Sequence, residues 1–229
     1  MSSSRRGGCR RFVSHSYTWC MAKAPICGWS LENAARRCGA KRIAGLYEVG
    51  RGPMFGPVVA AAVIFAERCR LPGLTDSKQL TEKQRNEFDA MIRVEAAAWA
   101  IAAVDVETID SINIRRASLL AMRMAVEQLI ETPDYLLIDG RDTIEWPCAQ
   151  QAVVGGDGRS ISIAAASVLA KVHRDRLLVE LDAVYPGYGL ARHKGYCSPE
   201  HMEALRRLGP TPLHRKSYAP VAQTLLPFE

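Results

Sequence analysis

No apolar run in this sequence reaches the length of a membrane span. The longest, Pro57 to Ala66, has 10 residues, whereas a bilayer needs roughly 20, so no transmembrane segment is expected. Paired cysteines are missing as well. The seven cysteines are an odd number, and Cys9, Cys20, Cys27 and Cys38 follow one another without a C-x-x-C spacing. Cys69, Cys148 and Cys197 are scattered through the rest. That pattern argues against a zinc site and a disulfide framework, and for a reducing compartment. The first residues lack the uninterrupted apolar stretch of a secretory signal, so a cytoplasmic location is expected. Acidic residues are scarce at the N-terminus: residues 1–42 hold one acid against nine Lys or Arg. Residues 43–229 hold 21 basic and 23 acidic residues. The net charge of +6 therefore belongs to the N-terminal segment, and the near-neutral remainder gives no electrostatic case for a nucleic-acid partner.

What is present fits one globular domain with a sizeable core: 229 residues, 48% hydrophobic and 24% charged. Residues 1–30 are rich in Ser, Arg, Gly and Cys without sustained periodicity and read as a flexible extension, with a short helix possible over 31–40 before Gly39 ends it. Arg42–Val49 and Pro57–Ala66 are apolar runs joined by a glycine-rich link, which predicts two strands and a turn. Thr81 is placed to cap a polar helix to about Val94, and Ala97–Val104 reads as a third strand. A helix is predicted over Ile112–Ile130, with Leu119, Met122, Val126 and Leu129 on one face. Short strands follow at Tyr135–Ile138 and Gln151–Val154, then a long helix over Ser160–Tyr185 and another over Pro199–Leu208 before an irregular tail. Strands in succession, then alternating with helices, predict an α/β fold with a mixed sheet under packed helices.

Three acidic residues stand at unusual places. Glu48 and Asp139 close apolar strands, and Asp157 sits in the turn Gly155-Gly156-Asp157-Gly158 ahead of a helix. Carboxylates at strand ends beside glycine turns suit a hard cation such as Mg²⁺ or Mn²⁺, which takes oxygen ligands and offsets the repulsion between close carboxylates. Each acid alone is equally an ordinary strand-end or turn residue.

The surrounding motifs narrow the choice. Gly45-Leu46-Tyr47-Glu48-Val49-Gly50-Arg51-Gly52-Pro53 resembles the opening signature of ribonuclease HII, the type 2 ribonuclease H family, in which an Asp-Glu pair precedes Gly-Arg-Gly. Further segments follow in that family's order: Asp76-Ser77-Lys78, Leu137-Ile138-Asp139-Gly140, Gly156-Asp157, the run Ser162 to Val172 with Arg174-Asp175, Tyr188-Gly189, His193-Lys194-Gly195-Tyr196 and His214-Arg215-Lys216-Ser217. The resemblance covers residues 42 to about 222.

It implies a ribonuclease H-like mixed five-stranded sheet flanked by helices, with a small C-terminal helical part. The expected division is a flexible, basic, Cys-containing extension over 1–40, a catalytic domain over 41–185 and a C-terminal segment over 186–229 that completes the substrate site. Carried over by position, Glu48, Asp139 and Asp157 are metal ligands for two divalent ions, Mn²⁺ or Mg²⁺. Gly50, Arg51 and Gly52 approach the ribonucleotide, Tyr196 stacks beside its sugar, and Lys78 and Lys194 are candidate phosphate contacts. Plain packing for Tyr196 and a solvated turn for Arg51 remain open, as does simple exposure for both lysines. Asp76, Asp142 and Asp175 are left out of the metal set, Asp175 as a helical ion-pair partner. The implied substrate is an RNA–DNA hybrid or a DNA duplex with embedded ribonucleotides, cut 5′ of the ribonucleotide by a monomeric, membrane-free enzyme. Two positions depart from the family: Tyr47 stands where Asp is expected to bind metal, and Gly155 where Lys is usual. A phenol offers one oxygen and stays protonated near neutral pH, so impaired cleavage, or a hybrid-binding protein that no longer cuts, is the alternative outcome.

Overall fold

A computed structural model describes residues 27–66 and 69–225. Among them, five strands form one sheet in the order β3-β2-β1-β4-β5. β1 (Ile43–Val49), β2 (Val58–Ile64) and β3 (Ala98–Val104) are antiparallel neighbours. β4 (Tyr135–Asp139) and β5 (Ala149–Val153) run parallel to β1, so the sheet is mixed as the sequence predicts. β2 is buried on both faces, which is why its sequence is an unbroken apolar run with no alternation.

One face of the sheet packs on α5 (Ile161–Val184), the other on α4 (Ile114–Glu127). The α5 face buries Tyr47, Ala61, Val63 and Leu137 against Ala164, Ala165, Ala166 and Val168. The α4 face buries Leu46, Ala60, Ala62 and Ile138 against Ala117, Ala121, Met122 and Ala125. Small residues on both helices let them lie close to the sheet. At Gly45 the approach is closest: a Cβ there would stand 2.2 Å from the Ser162 carbonyl carbon of α5.

Thr81 caps α2 (Glu82–Glu95) through a reciprocal capping box with Gln84. The predicted helix over Ile112–Ile130 is divided. α3 (Val106–Ile112) begins at the Asp105 cap, whose carboxylate accepts from Thr108 N–H at 2.8 Å. Asn113 then takes φ +69° and caps α4 with its side chain. That positive φ, with an extended ψ of 159°, interrupts the helical path, and the Asn113 side chain accepts from the Arg116 N–H to start α4, so one helix becomes two. Past α5 lie α6 (Leu190–His193), α7 (Pro199–Leu208) and α8 (Ala219–Thr224), the last within the tail expected to be irregular.

The flexible reading of residues 1–40 needs correction over its described part, and residues 1–26 lie outside the described residues. α1 (Ser30–Arg37) is docked. Trp29 meets Phe65 edge to face at 5.7 Å between ring centroids. Glu32 is fully buried, its Oε1 accepting from Ser160 Oγ at 2.6 Å and Ser162 N–H at 3.0 Å. α1 therefore caps the start of α5 from 128 residues away in sequence. Composition hid this because one buried residue of the helix is a carboxylate, which sequence patterning assigns to solvent.

Candidate active site

Parallel pairing builds the centre of the site. Leu46 of β1 lies opposite Ile138 of β4, so the next residues, Tyr47 and Asp139, come side by side at the strand ends on the α5 face. Glu48 follows on β1 and, with Asp139, lines a small cleft that also contains Arg51, Arg115 and Asp142. β5 leads through Gly155 into a single 3₁₀ turn, Gly156–Gly158, that carries Asp157. The Gly156 N–H donates to Asp139 Oδ1 at 2.7 Å, tying that turn to β4.

The charges respond to this crowding. Burial pushes Glu48 up to about 6, opposed by the Arg51 guanidinium at 3.3 Å and reinforced by Asp139. Burial also raises Asp157 to about 6, with added repulsion from Asp139 and Asp76. Asp139 is raised by burial in spite of the Gly156 amide and the Lys78 ammonium. Asp76, left out on sequence grounds, thus stands within this cluster. Its motif Asp76-Ser77-Lys78 was visible, but a loop acid is indistinguishable from a turn residue until the fold brings it to Asp157. Its Oδ1 also accepts from the Lys78 N–H at 2.9 Å.

Tyr47 is buried at the centre, 4% exposed. Burial first, then Asp157, Asp139, Asp76 and Glu48, push its phenol far above the ordinary tyrosine range, so it is an uncharged hydroxyl. The Lys78 ammonium lies 5.9 Å from its ring centroid. Glu48 Oε2 is buried without a hydrogen-bond partner among the described residues. A desolvated carboxylate oxygen with nothing to bind, beside two more carboxylates of raised pKa, is a donor set that fits a divalent cation. Glu48 neighbours Asp139 and Asp139 neighbours Asp157, and among the described residues no three His, Cys, Asp or Glu side chains stand close enough to enclose an ion. Asp142 is paired with Arg115 at 2.6 Å within the cleft, and Asp175 with Lys171 at 2.8 Å on α5.

The segment from Gly50 to Pro57 is anchored by two fully buried arginines, Arg215 and Arg174, neither of which forms an ion pair among the described residues. Arg215 donates to the carbonyls of Gly50 (2.7 Å), Gly56 (2.9 Å) and Arg51 (3.2 Å), and the Tyr218 hydroxyl also donates to the Arg51 carbonyl. Arg174 donates to the carbonyls of Phe55, Pro57 and Lys194. Burial lowers Arg174 to about 10, with Arg215 adding repulsion, which leaves it charged at neutral pH. Gly50 has φ +94°, and a Cβ there would lie 2.4 Å from Arg174 Nε, so the loop and its anchor permit only glycine. Sequence gave no sign of this, since an Arg in a charged helix reads as solvated.

Tyr196 is 46% exposed, and its ring lies 3.4 Å from where a Gly52 Cβ would stand. The C-terminal segment therefore brings an aromatic face to the glycine loop. Lys78 is beside the acids, whereas Lys194 turns its ammonium to the Ala191 carbonyl at 2.6 Å.

A family model described as Ribonuclease HII matches residues 44–221. Ribonuclease HII of Geobacter sulfurreducens is 51% identical over 197 residues, 86% of this chain and 91% of that protein. Ribonuclease HII of Bacillus subtilis is 50% identical over 192 residues, covering 84% and 75%. In fold, the ribonuclease H2 of Pyrococcus horikoshii OT3 superposes with a TM-score of 0.70 at 24% identity, over 80% of this chain and 96% of that one. Bst-RNase HIII in complex with Mn²⁺ gives 0.66 at 20% identity, over 84% and 71%.

Proposed function

The chain belongs to the ribonuclease HII family, a family of ribonuclease H endonucleases that depend on divalent metal, and from that premise we propose a specific activity. It hydrolyses the RNA strand of RNA–DNA hybrids and cuts 5′ of ribonucleotides embedded in duplex DNA, at a rate lowered by Tyr47. The observation that carries this reading is the row of carboxylates in which Glu48 neighbours Asp139 and Asp139 neighbours Asp157, beside the anchored Gly50-Arg51-Gly52 loop. Glu48, Asp139 and Asp157 would hold Mn²⁺ or Mg²⁺, which supplies positive charge to the attacked phosphate and makes water a stronger nucleophile. The rigid loop offers its backbone to the ribose, Tyr196 covers the sugar from the other side, and Lys78 faces the phosphate. Asp76 adds negative charge beside the Asp157 carboxyl and so favours its pairing with a cation. We place the enzyme in the cytoplasm as a monomer; among the described residues Cys27, Cys38, Cys69, Cys148 and Cys197 form no disulfide with one another, which supports a reducing compartment.

Tyr47 favours a second reading, a protein that binds the RNA–DNA junction and cuts it weakly or not at all, because the recognition loop is intact while the ligand set is short of one carboxylate. End-labelled duplexes carrying one ribonucleotide, incubated with excess protein and Mn²⁺, test the activity. The expected product is a single cut 5′ of the ribonucleotide, leaving a 3′-hydroxyl and a 5′-phosphate. Cleavage of an all-DNA duplex at equal rate would contradict it.

A further inference from the structure

His201 of α7 and His214 of the following loop are fully buried, and their Nε2 atoms lie 3.2 Å apart. The remaining nitrogens fix where the protons sit. His214 Nδ1 is 2.9 Å from the Thr211 amide, which can only donate, so Nδ1 carries a lone pair and the His214 proton is on Nε2. That N–H points at His201 Nε2, which must then accept. His201 consequently carries its proton on Nδ1, 2.9 Å from the Tyr196 carbonyl, which can only accept. The Thr211 hydroxyl lies 3.0 Å from the same His214 Nδ1 and is a second donor to it, so one arrangement satisfies these contacts, and it runs one way: Thr211 to His214, His214 to His201, His201 to the Tyr196 carbonyl.

A proton added to either ring would set two N–H groups against each other. Burial lowers both histidines to about 4, helped at His201 by His193 and at His214 by His201, so both are neutral near pH 7. The groups around them agree with this. His193 stacks on His201 at 4.4 Å and 17°, accepting from Gly195 N–H at Nδ1 and meeting the Tyr188 carbonyl at Nε2. Phe55 and Tyr188 pack against both rings, Phe55 edge to face. The Tyr196 peptide is further held by its own N–H on the His193 carbonyl and by Ser198 N–H on its oxygen. Its backbone is thus fixed from beneath while its ring stays half-exposed beside Gly52.

We propose that His201 and His214 are positioning residues for substrate recognition, forming a one-way hydrogen-bond relay that sets the Tyr196 ring at the place where the ribose is read. The proposal rests on the reading above that Tyr196 contacts the sugar.

Two measurements test it. Long-range ¹H–¹⁵N spectra of the histidine-labelled chain near neutral pH should show His201 protonated at Nδ1 and His214 at Nε2. The opposite tautomer at His201 overturns the relay, and this reading needs no variant to fold. Affinities are then compared, without metal and at matched salt, for a duplex with an RNA–DNA junction and an all-DNA duplex of the same sequence. His201→Leu should lose about tenfold on the junction duplex only, the loss expected from one hydrogen-bonded contact. His201→Asn, which keeps an N–H near the Nδ1 position, should recover most of that loss. Combined with Tyr196→Ala, His201→Leu should add nothing further. An unchanged affinity in His201→Leu, an equal loss on both duplexes, or full additivity with Tyr196→Ala overturns the proposal. If Tyr196→Ala alone leaves junction binding intact, the sugar-contact reading itself has failed and the relay falls with it. The wrong tautomer with a sensitive Tyr196 removes the relay alone.

Discussion

A carboxylate at position 47 would bring two oxygens and a negative charge to the strand end, where the phenol brings one neutral oxygen and a ring. Burial and four nearby acids keep that phenol protonated, so raising the pH within the working range of the protein does not turn it into an anionic ligand. The neighbouring acids respond to pH in a defined direction. Glu48 and Asp157 titrate near 6 in the folded chain, above the ordinary carboxylate range of about 4. The folded state therefore holds these protons more tightly than the unfolded state. Their contribution favours folding at low pH and is lost as pH rises through about 6. A cation competes for the same oxygens and relieves the repulsion once the protons have left. Added Mn²⁺ should thus raise the melting temperature little at pH 5 and clearly more at pH 8; equal shifts at both would show that these carboxylates do not take the ion.

At the scale of the elements, the site depends on how closely α5 lies on β1 and on what holds its first turn. Gly45→Ala would drive a methyl group into the Ser162 backbone at 2.2 Å, and neither strand nor helix can yield by a side-chain rotation. Overpacking of this kind costs about 1–3 kcal/mol or more, so a fall of several degrees in melting temperature, or loss of soluble protein, is expected. Glu32→Ala leaves the Ser160 hydroxyl and the Ser162 amide without their acceptor in a buried place, at a cost of about 1–3 kcal/mol. Thermal melting should show a drop of roughly 2–10 °C for a chain of this size, and an unchanged melting temperature would mean that α1 is not docked as described. The five strands, the Thr81 cap and the long α5 were legible because each rests on local pattern: apolar runs, a capping sequence, helical periodicity. The division at Asn113 was not, since Asn reads equally as a helix-surface residue until a left-handed φ is required of it. Nor was the docking of α1, whose evidence is a contact with residues 160 and 162 that no local window contains.

For the whole molecule, the excess positive charge belongs in sequence to residues 1–42, which carry a net +8 while the remainder is slightly acidic. The features proposed for binding are a rigid loop, an aromatic ring and a row of carboxylates. The C-terminal segment is part of this site because its Arg215 and Tyr218 hold the Gly50-Arg51-Gly52 loop and its Tyr196 faces Gly52. Glu48, Asp139 and Asp157 could be singled out as candidates through their motifs alone. Asp76, Arg174 and Arg215 acquire their roles only when distant segments meet, and a sequence records the residues without the meeting. The central claim is that this is a ribonuclease HII site lacking one carboxylate at its centre. Side-by-side cleavage rates of the chain and its Tyr47→Asp form test it most directly, on a duplex bearing one ribonucleotide with Mn²⁺ and with Mg²⁺. Restoring the carboxylate beside Glu48 should raise the rate by at least about 100-fold, since even losses outside the ligand shell cost about 10–100-fold. Equal rates for the two forms would mean that position 47 holds no metal ligand and would contradict the account.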